Sequence, residues 1–317
     1  MKIYWVVLRR SFLYSLFLLT SVTLFGEKPE RNSNFTSQKF SFALDEASSR
    51  ATQAYLPLKR TLSKDERKAI KKELQVITEG KDRKKLSFDQ LEKAILLAHQ
   101  LGKDTETILY IDQVLVIAKD ATHIQKYKRL KADVVFELGK VESAEQLYQD
   151  YFDIYPGAKD IEDVHYRLIV CLSLQAREPD QDQAKTREVV RCANAFIEKK
   201  KTYTMYLFEV VKLRDNAYKL LYDHEATVFD YYLFNKQFQA AQGRLAYMRQ
   251  EFGTKIASVE PDLLHKEYRL ALAQKDTARA ERVLALLEKK YPQQTVAFFT
   301  PKNKKSKRSP LNYVEKF

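Results

Sequence analysis

Five histidines, two cysteines and 42 acidic side chains are the groups from which this 317-residue chain could build reactive chemistry. The histidines (His99, His123, His165, His224 and His265) are scattered. No two of them stand four apart beside a glutamate, the spacing that sets two imidazoles on one helix face around a hydrolytic zinc. His224-Glu225 continues into Ala226-Thr227-Val228 and completes no such pattern. The seven glycines never fall at a phosphate-cradling spacing, and neither a Gly-x-Ser-x-Gly elbow nor a Cys-x-x-Cys pair occurs. Paired carboxylates recur on helical faces, where solvated acids are ordinary. The expectation is a chain without a catalytic centre, cofactor or metal. Cys171 and Cys192 fall on consecutive predicted helices. In an oxidising compartment they could bridge, or they could be two small buried side chains.

The elements that would carry these residues are helical. No proline lies between Pro57 and Pro156 or between Pro179 and Pro261, and these stretches are rich in Leu, Ala, Lys, Glu and Gln. A capping box, Ser63-x-x-Glu66, opens a charged, peripheral helix running to about Gly80. A second box, Ser87-x-x-Gln90, precedes the buried stripe Leu91, Ala94, Ile95 and Ala98, stopped at Gly102 and followed by a helix over 105–119. Further pairs are predicted at 124–138 with 141–155, 161–175 with 185–199, 204–235 with 239–252, and 261–274 with 277–291. Asp182 is a candidate cap, and Pro261 stands at a first helical position.

Ala144, Ala241 and Ala280 each sit at the same point of a second helix, and Ala132 is the small residue of a first helix twelve before Ala144. Pro156 and Pro292 stand twelve after Ala144 and Ala280, and Gly253 closes the third copy. A small residue where paired helices touch and a breaker before the next unit resemble the tetratricopeptide repeat. The predicted fold is all-α, a superhelical stack of about five such pairs, and stacks of this kind make binding surfaces.

The formal charge is +13, of which the first 26 residues supply three bases and no acid. Lys2, Arg9 and Arg10 precede an apolar stretch over 11–26, the pattern of a secretion signal or an N-terminal anchor. Residues 27–62 read as a flexible tether, 63–292 as the repeat domain and 293–317 as a loose basic tail. Export to the periplasm is the expectation. Five bases in 302–308 suit an anionic membrane surface. No base-reading module accompanies the charge, so nucleic acid is not an expected partner.

From Asp182 to Phe252 the order of residues is more specific. Ala184, Val190, Phe196-Ile197, Tyr206 and Arg214 lead to Leu221-x-x-His224-Glu225, Val228, Tyr231-Tyr232, Phe238, Ala241, Arg244 and Met248. This resembles the BamD family, the helical-repeat component of the machinery that folds β-barrels into bacterial outer membranes. The generic part of the likeness runs from Leu86 to Pro292. Glu27 stands where the family has its acylated cysteine, so anchoring would come from an uncleaved signal, a partner or the tail. The repeats also diverge: Lys199-Lys200-Lys201 and Phe252-Gly253 replace Tyr-Pro turn ends.

The resemblance implies a non-catalytic scaffold at the inner face of the outer membrane with two surfaces. C-terminal repeats would hold the BamA-like central barrel-assembly protein through Arg244, Glu225, Tyr231 and Tyr232. The other reading for Arg244 is a pair with Glu251 or Asp230, and for the rest repeat packing or an internal pair. N-terminal repeats would receive unfolded outer-membrane proteins in a groove offering Tyr110, Tyr127, Tyr148 and Tyr151, with packing again the alternative. A second functional reading is an exported adaptor of cell-envelope division or secretion.

Overall fold

The computed structural model of the chain describes residues 61–78 and 83–299. The expected signal or anchor, nearly all of the tether and the basic run at 302–308 lie outside these residues. Every regular element among the described residues is helical, and none is long and apolar enough to cross a membrane.

Ser63 and Glu66 exchange side-chain and backbone hydrogen bonds at the start of α1 (Lys64–Thr78), which fully buries only Leu74, with Ile70 and Ile77 partly buried beside it. Ser87 and Gln90 form the same reciprocal cap on α2 (Phe88–Gln100), whose stripe Leu91, Ala94, Ile95 and Ala98 is buried. Then follow α3 (Asp104–Ile117), α4 (Ala121–Glu137), α5 (Val141–Ile154), α6 (Ile161–Leu174) and α7 (Ala184–Glu198). The C-terminal part holds α8 (Leu207–Phe234), α9 (Phe238–Phe252), α10 (Glu260–Ala273), α11 (Thr277–Lys290) and α12 (Pro292–Phe299). Each helix packs on the next in sequence, so the chain runs as consecutive pairs. Ala132, Ala144, Ala241 and Ala280 are all buried, as a contact point between helix backbones requires.

Four of the turns within pairs are built alike. Gly102, Gly139, Lys236 and Lys275 all take positive φ, between 59° and 76°. In each turn that residue's N–H returns to the carbonyl three back, and the next N–H to the carbonyl five back. This ties off the last carbonyls of the preceding helix and reverses the chain in three residues. At Gly139 a Cβ would meet nothing within 4 Å, so only the backbone conformation opposes a side chain. Gly139→Ala should therefore lower stability by about 1–2 kcal/mol, read as a shifted urea midpoint with an unchanged slope. Unaltered stability would show that this turn is not held left-handed.

The α6–α7 turn departs from the others. It spans residues 175–183 and includes Pro179, whose carbonyl accepts a 2.6 Å hydrogen bond from Nδ1–H of His224 on α8. Asp182 accepts from the Ala184 N–H. Cys171 and Cys192 are free and buried, with both thiols pushed up by burial, so the pair stands as two packed small side chains. The segment after Pro292 corrects the expectation of a loose tail: 292–299 is helical. Pro292 begins α12, and the Phe298 ring stacks on His265 with centroids 4.3 Å apart and planes 3° from parallel. This apolar contact holds a helix too short to persist alone.

Candidate functional site

The first helices of neighbouring pairs meet through polar side chains. Tyr127 on α4 donates to Glu92 on α2, with Lys126 also in contact, and this holds the Glu92 carboxyl below its ordinary range. Between α8 and α10, Tyr222 donates to Asp262 at 2.5 Å, and Arg269 pairs with Asp230 at 2.7 Å.

The largest of these contacts joins α4 to α6. Arg129 is 1% exposed and Arg167 2%. Arg129 bonds Asp133 and Asp160, each at 3.0 Å, and also Asp163. Arg167 reaches Asp163 at 3.1 Å and the Tyr148 hydroxyl at 3.4 Å. Tyr148 donates to Asp133 at 2.8 Å, Tyr151 to Asp160 at 2.8 Å, and Tyr206 to Asp163 at 2.7 Å. Two guanidiniums thus face three carboxylates. Burial pushes the Asp133 carboxyl up in spite of both arginines. At Asp163 burial acts the same way, but Arg129 and Arg167 overcome it and hold the carboxyl low. Asp133 Oδ2 alone among these carboxylate oxygens is buried without a hydrogen bond, and the rest of the network fixes the geometry of α4 against α6.

This geometry corrects the expected substrate groove. Tyr110, Tyr127, Tyr148 and Tyr151 are all buried. The hydroxyls of Tyr127, Tyr148 and Tyr151 bond carboxylates of neighbouring elements, so these rings serve as packing. The network has a trace in the sequence. Arg129 and Asp133 stand four apart, and Asp163 and Arg167 repeat that spacing with reversed sign one 34-residue period later.

The residues expected to meet a partner divide. Glu225 on α8 is buried and pairs with Arg244 on α9 at 3.0 Å, so it serves the hairpin from inside. Arg244 is therefore not paired with Asp230, which holds Arg269, or with Glu251, which holds Lys255. Its side chain stays 40% exposed and can still meet an outside acid. Tyr232 packs against the C-terminal core, whereas Tyr231 is 62% exposed. Phe234, one turn on and not singled out from the sequence, is 64% exposed. Tyr231 and Phe234 thus lie exposed near the tip of the α8–α9 hairpin.

Two clefts are also present. One of about 300 Å³ lies among Lys219, Tyr222, Asp223, Asp262 and Lys266. The other, about 950 Å³, is a shallow polar groove along Lys140, Glu142, Gln175, Arg177 and Lys185. The first carries the ion pairs Lys219–Asp223 and Lys266–Asp262, and the second the pair Lys185–Glu145. No family model matches this chain, and no curated protein does.

Proposed function

We propose that the chain is a non-catalytic scaffold similar to the BamD family. Its helix pairs stack as tetratricopeptide-like repeats and dock other proteins of an outer-membrane assembly machine. The observation that carries this reading is the α8–α9 hairpin. There Tyr231 and Phe234 are exposed and Arg244 is half-exposed, within the stretch whose residue order resembles that family. Aromatic side chains and arginine dominate the energy of protein interfaces because they bury large areas at small entropic cost. The proposed partner at this tip is the BamA-like central barrel-assembly protein. The proposed location is the periplasm, with the 302–308 run against anionic lipid. The proposed grip on unfolded barrel substrates has to use side chains other than the four buried tyrosines.

The test is recovery of partners from an envelope extract with the double variant Tyr231→Ser, Phe234→Ser. Both side chains are more than half exposed, so circular dichroism should stay helical while recovery of the barrel-assembly protein falls at least tenfold, about 1.4 kcal/mol or more. Arg244→Glu is a poorer probe, because it would set a second carboxylate against buried Glu225. Undiminished recovery removes the hairpin assignment. Recovery of division or secretion proteins alone would favour an adaptor of those systems instead.

A further inference from the structure

We infer that His99, Asp104 and Glu137 form a binding site for a first-row divalent cation, Zn²⁺ being the one tested, that clamps the first helix pair to the second. His99 lies in the last turn of α2, Asp104 is the first residue of α3, and Glu137 is the last residue of α4. Each offers one ligand atom, and these atoms all lie within 4.8 Å of one another. The His99 imidazole stands 3.9 Å from the Asp104 carboxylate. Donors sharing a zinc ion at about 2.0–2.2 Å lie roughly 3–4 Å apart, so small side-chain rotations close the site.

Position supplies a second, electrostatic argument. The carbonyl ends of α2 and α4 converge here, and a helix C-terminus carries partial negative charge. Glu137 adds a full negative charge at the place where a helix tolerates it least. A cation beside Glu137 would be favoured by that field, and the N-terminal end of α3 at Asp104 opposes it in part. His99 is wholly buried, and the tight turn at Gly102 fixes its distance from Asp104. The imidazole is thereby held beside the Asp104 carboxylate.

The donor set decides the class of ion. One imidazole and two carboxylates, without a thiolate, suit Zn²⁺ or Mn²⁺ and not the soft cations. Three protein ligands leave a further position for water. Since α2, α3 and α4 all contribute, the ion would fix the end of one pair against the next.

Titration of the full chain with Zn²⁺ by calorimetry should give one saturable site and a raised melting temperature. Co²⁺ in its place should give visible absorption bands of a nitrogen- and oxygen-ligated ion. Glu137→Gln and Asp104→Asn keep shape and remove charge. Each should weaken binding by at least the roughly 10–100-fold that losing even an outer-shell partner costs. His123→Ala, a half-exposed imidazole elsewhere, should leave binding as it was. Absence of a saturable site in the parent chain, or parental affinity retained in both carboxylate variants, overturns the assignment.

Discussion

Arg129→Met should destabilise the protein by about 3–5 kcal/mol, the largest loss expected from any single charged side chain in the molecule. The guanidinium is completely enclosed and neutralises parts of Asp133, Asp160 and Asp163 together. Methionine fills much of the volume but leaves three carboxylates against Arg167 alone. The cost is therefore electrostatic and should shrink at low pH, where those carboxylates take up protons. Arg129→Lys should recover only part of the loss, since a single ammonium cannot reproduce a planar fork bonded to three acids. Urea unfolding followed by circular dichroism measures all of this. A loss under 1 kcal/mol would mean that water, and not protein, compensates these carboxylates.

Acid should weaken the fold through two buried imidazoles. His165 is packed among Phe152, Phe196 and Tyr203, and burial, with Lys199 nearby, holds its pKa down to about 4. His265 lies under Phe298, and burial lowers it to about 4 as well. Arg269 and Lys266 act in the same sense, while Asp262 and Asp230 oppose them. The unfolded chain binds these protons near pH 6.5, whereas the folded chain resists them until about pH 4. Stability is therefore full above pH 6.5 and falls as pH drops through the interval. Each imidazole contributes a loss on the order of 3 kcal/mol by its end. His265→Phe keeps the ring stack and removes the titration, so its urea midpoint should fall less steeply between pH 6.5 and 4 than the parent's. Equal slopes would show that His265 gains its proton as readily folded as unfolded.

What the sequence made legible follows from local rules. Capping boxes, left-handed glycines and buried alanines act within a turn or two, so helix starts, stops and contact points could be placed to within about three residues. What it hid depends on neighbours a whole repeat away. A tyrosine reads equally well as a ligand-facing ring or as a core ring with a bonded hydroxyl. Only the carboxylate on the adjacent helix decides, as Asp133 does for Tyr148 and Glu92 for Tyr127. Glu225 and Arg244 look like two surface charges because they are 19 apart, and the hairpin that joins them is tertiary. Helix α12 was missed for a related reason: eight residues carry little intrinsic helical preference, and its anchor is a ring on α10. The signal that could have been read was the sign-reversed Arg/Asp spacing at a 34-residue period.

Helix α8 spans 28 residues, about 42 Å, and belongs to two interiors. Val210, Leu213, Ala217 and Leu220 lie in the central core, while Tyr222, Phe229 and Leu233 lie in the C-terminal one. One stiff shaft thus runs unbroken from the middle of the molecule to the tip that bears Tyr231 and Phe234. A pull on that tip is delivered as leverage to the packing around Val210, with no joint between to absorb it.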